Sequence, residues 1–311
     1  MQPKAKLGFS WLRIGYISLA AIAMYALVSQ LSDLNGALSQ LKNSKLNDDI
    51  LVLIAVIATF SFAALTYYFI ALKPLRYFRT LFVEMGINTL NRLLPAGIGG
   101  IGANYVYLTK SKHSKAQAGA VVAANTIIGV IANLILLSIL LAYFPIKQFR
   151  YSSSSPHLVI IGCLIVLAAA LIVSLVKPWR QALIRNLKLI LKNISGYRFL
   201  KLRLFYGLLC QIGLCLANVL ALYFSLRAVG GSLPIGSLML AYSFGIWLGA
   251  VIPAPGGVGS VEAGLVTGLL AFKIDLTQAV AAVLIFRLIS FWLPLIFGTL
   301  PLLWSYRKGY L

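Results

Sequence analysis

The chain has 311 residues, 60% of them hydrophobic and 11% charged, with 27 Lys and Arg against 6 Asp and Glu and a net charge of +21. A soluble domain carries about a quarter charged residues, so this chain lacks the polar surface to cover a water-soluble core and reads as a polytopic membrane protein. Disordered, secreted disulfide-rich and DNA-binding classes are excluded. The basic residues lie in short loops between apolar runs, as the positive-inside bias places them, and no nucleic acid is expected as a partner.

Cys163, Cys210 and Cys215 fall inside apolar runs and read as small buried hydrophobes. His113 and His157 are isolated near loops, and no His, Cys, Asp or Glu pair has metal-ligand spacing, so neither metal nor cofactor is expected. Of the acidic residues Asp33, Asp48, Asp49, Glu84, Glu262 and Asp275, only Glu84 and Glu262 lie in apolar sequence. So sparse an acid–base repertoire argues against a hydrolytic or transferase centre, and the chain is not expected to be an enzyme.

A membrane-crossing helix needs about 20 apolar residues. Six runs qualify: 12–31, 49–72, 116–144, 157–176, 204–226 and 277–304. The first follows Lys4, Lys6 and Arg13 and is read as an uncleaved span rather than a signal sequence. Two further apolar regions, 78–108 and 236–272, are broken near their middles. The breaks are Pro95-Ala96-Gly97-Ile98-Gly99-Gly100-Ile101-Gly102 and Pro253-Ala254-Pro255-Gly256-Gly257-Val258-Gly259. Proline removes a backbone donor and glycine loses the most entropy on ordering, so such runs interrupt helices. In hydrocarbon the freed backbone groups must be satisfied inside the bundle or at a cavity. Pro95, Pro253 and Pro255 are therefore read as the breaks of two re-entrant hairpins. The stretch 177–203 is basic with Leu and Ile interleaved: either a surface amphipathic helix attracted to anionic lipid or a loop made basic by topology.

With both broken regions returning to the side they left, the amino-terminal side carries 19 basic residues and the other 6, with Arg92 and Arg287 at depth. That asymmetry predicts a cytoplasmic-membrane protein with both termini in the cytoplasm. The two breaks also resemble each other: Pro95, Gly97, Ile98, Gly99 and Ile101 align with Pro255, Gly257, Val258, Gly259 and Val261. Each half then runs span, span, hairpin, span. Three full spans per half is an odd number, so the second half enters from the opposite face. The expected fold is an all-α inverted-topology repeat in a single membrane domain, 1–311, with halves of about 12–144 and 157–304 and the basic cytoplasmic linker 177–203.

Arg287 sits ten residues into the last span, where an arginine costs about 3 kcal/mol on insertion scales and should face a cavity or a partner. Glu262 is the natural partner. Together they read either as a contact for a lipid phosphate or as an ion pair bracing the hairpin. Glu84, Asn88, Asn91 and Arg92 share one helical face, which lines a headgroup path or is the solvated face of an interfacial helix. Asn104, Asn125 and Asn133 extend these polar positions, though such residues also join helices. Gly97, Gly99 and Gly100, with Gly256, Gly257 and Gly259, would present backbone N–H groups to an anion at the starts of half-helices.

Pro253-x-Pro255-Gly256-Gly257-Val258-Gly259-x-x-Glu262, followed by a span with Arg287 and Pro294, resembles the flippase-like membrane domain of the lysylphosphatidylglycerol synthase family, also called multiple peptide resistance factors. Asn91 through Gly102 is similar to that family's first Gly-rich element. Many relatives carry an acidic residue and then an arginine just after the first glycine pair, where this chain has Ile101-Gly102-Ala103-Asn104-Tyr105. The resemblance implies a membrane domain that moves lipid between leaflets, in two-part members beside a soluble aminoacyl-transferase domain. The longest non-apolar stretch, 177–203, is too short to be that domain. The expected function is a lipid flippase for anionic headgroups; the alternative is a non-catalytic membrane subunit for a separate lipid-modifying or glycosyltransferase enzyme.

Overall fold

The computed structural model describes residues 44–93, 98–143, 200–251 and 257–311. The expected spans 12–31 and 157–176, most of the linker 177–203, and Pro95, Gly97, Pro253, Pro255 and Gly256 lie outside the described residues. Everything described is helix or connection, with no strand among those residues. The helices are α1 (Leu46–Ile70), α2 (Tyr77–Leu93), α3 (Ile98–Lys110), α4 (Lys115–Tyr143), α5 (Leu200–Ala228), α6 (Ile235–Val251), α7 (Ser260–Ala271) and α8 (Leu276–Arg287). A π-helical turn, Leu288–Trp292, then leads into α9 (Leu293–Phe297) and α10 (Thr299–Arg307).

Four helical stretches are long and apolar enough to cross a membrane: Leu46–Ile70, Lys115–Ile139, Lys201–Ala228 and Leu276–Arg307. They coincide with the expected runs 49–72, 116–144, 204–226 and 277–304. Ile50, Ile54 and Ile57 of α1 are exposed on one stripe, as are Val130, Leu134 and the neighbouring Ile131 of α4. A lipid-facing helix surface needs no polar cover, so such stripes belong against acyl chains.

The longest packing contact is between α1 and α5, which run antiparallel. At one end Lys45 N–H donates to the Ala228 carbonyl (3.1 Å) and Arg227 pairs with Asp48 (3.0 Å). Midway, Gly213 lies against the Phe62 ring, where a Cβ would come within 2.7 Å of it. At the far end Arg203 donates to the Ala71 carbonyl (3.3 Å). Small residues let the two backbones approach where the hydrophobic effect gives helices no drive to associate.

The short helices pair as antiparallel hairpins. In the first, Thr80 and Tyr107 hydroxyls meet at 2.8 Å, Glu84 faces Asn104, and Gly99 abuts the Leu90 carbonyl. In the second, Gly268 lies on Ala241, Gly264 on Gly245, and Gly249 on Val261. Cβ atoms at Gly264 and Gly268 would stand 2.7 and 2.8 Å from the facing Cα atoms, so the hairpin closes only with glycine there. Both hairpins end in a residue with positive φ, Lys112 (68°) and Lys273 (63°), before α4 and α8 begin. One buried cluster, including Leu222, Leu238, Leu265 and Val283, joins α5, α6, α7 and α8 to α1. A second, including Tyr67, Ile87, Leu108 and Val121, joins α1 to α4.

Charge is distributed unevenly between the ends. Lys73, Arg76, Arg79, Lys110, Lys112, Lys115, Lys201, Arg203, Arg307 and Lys308 gather at one end, with no carboxylate side chain among the described residues there. Contacts tie them together: Arg79 stacks on Tyr310 (4.6 Å), Lys110 donates to the Leu311 carbonyl (2.7 Å), and Lys73 to that of Lys112. The other end mixes Lys45, Arg227 and Lys273 with Asp48, Asp49 and Asp275.

Candidate functional site

The end of α2 and the start of α7 both meet the region of the π turn of the last long helix. Pro294 explains the turn. It has no N–H to give Ser290, its i−4 carbonyl, and the Leu293 N–H bonds instead to Leu288, five residues back. The Ser290 carbonyl is taken from the other half of the chain, where Arg92 Nη2 donates to it at 2.7 Å. The other terminal nitrogen of Arg92 bonds the Asn88 carbonyl (3.0 Å) and reaches Asn88 Oδ1 (3.4 Å). Three residues back on α2, Thr89 Oγ1 donates to the Pro294 carbonyl (3.3 Å). A proline near the middle of the last span thus frees or exposes acceptors, and α2 supplies the donors.

Arg287 ends α8 and is buried at 8% exposure. Its Nε meets Glu262 Oε1 at 2.5 Å. Glu262 uses its second oxygen to accept the Gly259 N–H (2.8 Å), capping the start of α7. Gly259 (φ 90°) and Gly257 (φ 65°) hold the left-handed backbone that turns the chain into α7, a conformation L side chains resist. The Arg287 guanidinium lies 4.3 Å from the centre of the Phe291 ring, and that of Arg92 lies 5.8 Å from it. The two arginines share one buried aromatic ring, a cation–π arrangement.

The expected pairing of Arg287 with Glu262 is observed, and Arg92, Asn88 and Asn91 lie at the same junction. Asn91 Oδ1 accepts the Gly100 N–H (3.1 Å), so the starts of α3 and α7 are capped alike, each by a protein side chain. The Gly100 and Gly259 amides expected to face an anion are therefore already bonded within the protein. Gly99 serves close packing instead, since a Cβ there would meet the Leu90 carbonyl oxygen at 2.5 Å. What the junction offers an anion is guanidinium charge. Among the described residues it holds two arginines and one carboxylate, and every hydrogen-bond partner described for Arg92 is uncharged.

Sequence reasoning missed Ser290 and Phe291, whose roles depend on the proline four residues after Ser290. It also missed His113, buried in the turn between α3 and α4. The ring's Nδ1–H donates to the Leu108 carbonyl (3.1 Å) and its Nε2 accepts the Lys73 N–H (3.0 Å). Burial holds this imidazole below the usual histidine range. Among the described residues no group of three His, Cys, Asp or Glu could hold a metal ion.

The sequence pattern of the lysylphosphatidylglycerol synthase TM region matches residues 14–298. The chain belongs to that family. It is a multi-pass membrane protein of a lipid-related family, and the match spans both hairpins and the junction between them. No curated protein matches it.

Proposed function

We propose that the chain moves phospholipids with anionic headgroups across the cytoplasmic membrane. The observation that carries this reading is the junction beside the π turn, where Arg92 and Arg287 share Phe291 and, among the described residues, Glu262 is the carboxylate paired with them. An excess guanidinium well inside an apolar bundle is costly unless an anion visits it, and a phosphodiester is the anion a membrane supplies in quantity. Arg287 and Arg92 are the headgroup contacts. Asn88, Asn91 and Glu262 hold the two arginines and the helix starts in place.

In this reading the hairpins are re-entrant, dipping from opposite faces, and the two halves are an inverted repeat. The support is threefold. Helix order and length recur in both halves. The second spans of the halves, α1 and α5, run antiparallel. Lys112 and Lys273 end the two hairpins alike, one residue away from the offset that relates Pro95 to Pro255. Both termini are then cytoplasmic, with the basic end of the bundle on that side.

The test is leaflet exchange of fluorescent-headgroup phosphatidylglycerol in proteoliposomes holding the full chain. Wild type is expected to equilibrate the leaflets, Arg287→Ala to abolish exchange and Arg92→Gln to slow it at least tenfold, both variants reconstituting normally. Exchange unchanged in Arg287→Ala removes the site. No exchange in wild type turns the reading toward a membrane subunit that serves a separate lipid-modifying enzyme.

A further inference from the structure

Inside the first hairpin lies a carboxyl group that the junction does not use. Glu84, on α2, is 4% exposed, and Asn104, facing it from α3, is likewise 4% exposed. Neither Glu84 Oε1 nor Asn104 Oδ1 has a hydrogen-bond partner among the described residues. Two buried acceptors therefore lack a donor in one apolar hairpin. A proton on Glu84 changes that count, because a carboxylic acid donates where a carboxylate only accepts.

Asn104 hydrogen-bonds the Glu84 side chain, but the surroundings add no counter-charge among the described residues. Tyr67 of α1 and Tyr107 of α3 stand around the carboxyl, and the Tyr107 hydroxyl is engaged with Thr80. From the last helix, α10, Pro301, Leu302 and Trp304 pack on α2 at Gly86 and Phe82. The nearer cations on α2 are committed elsewhere, Arg79 on the Tyr310 ring and Arg92 on Asn88 and Ser290. No cation lies within 4 Å of Glu84 among the described residues, whereas Glu262 has Arg287 at 2.5 Å. An ionised carboxylate in such a place would have one amide hydrogen bond, one oxygen without a donor and no counter-charge in apolar surroundings.

We propose that Glu84 is a proton-binding site within the first hairpin, with Asn104 as its positioning residue, and that the hairpin rests packed on the rest of the bundle when Glu84 carries the proton. Loss of the proton places a bare carboxylate against Asn104, Tyr67 and Tyr107 and drives the hairpin to admit water or to separate from α1. Glu84 binds and releases one proton, with no other bond made or broken. If the chain moves lipid as proposed above, this makes the movement sensitive to a proton gradient.

The deciding measurement is infrared difference spectroscopy of the purified full chain in lipid. Wild type is expected to show the carbonyl stretch of a protonated carboxyl at neutral pH. The band is expected to vanish in Glu84→Gln and to shift in Asn104→Leu. Glu84→Gln mimics the protonated acid and is expected to unfold at the wild-type temperature or above. A spectrum identical in wild type and Glu84→Gln overturns the proposal, as does marked destabilisation of Glu84→Gln, which would mean an ionised, paired carboxylate. In proteoliposomes, an imposed pH gradient is expected to change the wild-type exchange rate, and the ratio of rates with and without the gradient should fall to about one in Glu84→Gln. Wild-type exchange indifferent to the gradient removes the coupling and leaves the lipid reading intact. A persisting Glu84 band with no wild-type exchange removes the lipid reading and leaves the proton site.

Discussion

Glu262 does two jobs with one carboxylate, pairing Arg287 and capping Gly259. Its loss leaves a buried guanidinium and an open helix start. Glu262→Ala should therefore destabilise the protein by about 3 kcal/mol, the scale on which breaking a buried pair from one side is felt. The double variant with Arg287→Ala should recover part of that loss. A double-mutant cycle by unfolding in mild detergent reads both effects. His113 gives the second prediction at this scale. Its neutral ring is held between a donor and an acceptor, and burial favours the uncharged form, so the unfolded chain binds more protons as the pH falls. Stability contributed here is complete above the unfolded value of about 6.5 and is lost as the pH falls below it and through the lower folded value. Thermal unfolding measured from about pH 8 down to about pH 5 should fall for wild type, and less steeply for His113→Gln.

At the level of elements, proline and glycine set where the helices break and how closely they pack. Pro294→Ala restores an N–H that can bond the Ser290 carbonyl and straighten the π turn. The variant should be as stable as wild type or more so, by about 1 kcal/mol, while leaflet exchange falls because Arg92 loses its acceptor. Unfolding temperature and exchange rate, measured together, test this. Gly264→Leu should prevent the second hairpin from closing and leave little monodisperse protein on size exclusion, because the Gly245 backbone stands where its Cβ would go. Gly102→Ala, with nothing within 4 Å, should be silent. These elements were legible in the sequence because hydrophobic runs and Gly/Pro clusters are local signals. The four long apolar helices fall where the runs lie, and the short helices flank the breaks. The Arg287–Glu262 pair was legible too, since each is an ionisable residue in apolar sequence with few candidates for a partner. The Arg92–Ser290 bond was not legible, because it joins residues 198 apart through a carbonyl that only the local proline makes available. Nor was the capping of Gly100 by Asn91, which needs the return path of the hairpin before the two can meet.

For the whole molecule, the segregation of charge gives the sharpest test. The described residues gather ten basic side chains at one end and mix both signs at the other. If the hairpins open on opposite faces, a thiol at Lys112 and one at Lys273 report opposite compartments. In a background without Cys163, Cys210 and Cys215, an impermeant reagent added outside intact cells should label Lys273→Cys and spare Lys112→Cys. Labelling of both from the same side would end the inverted arrangement. The sequence foretold this polarity from loop charges alone, since topology acts on every lysine and arginine near a membrane surface whatever the loop's shape.

The bond from Arg92 to the Ser290 carbonyl works as a clasp between the two halves, and a weak one. A charged hydrogen bond of this kind contributes about 1.5–3 kcal/mol, and a phosphodiester offers the same guanidinium a better acceptor. The headgroup that arrives at Arg92 would therefore undo the clasp by competing for it, so that recognising the cargo and parting the halves become a single event with no separate trigger.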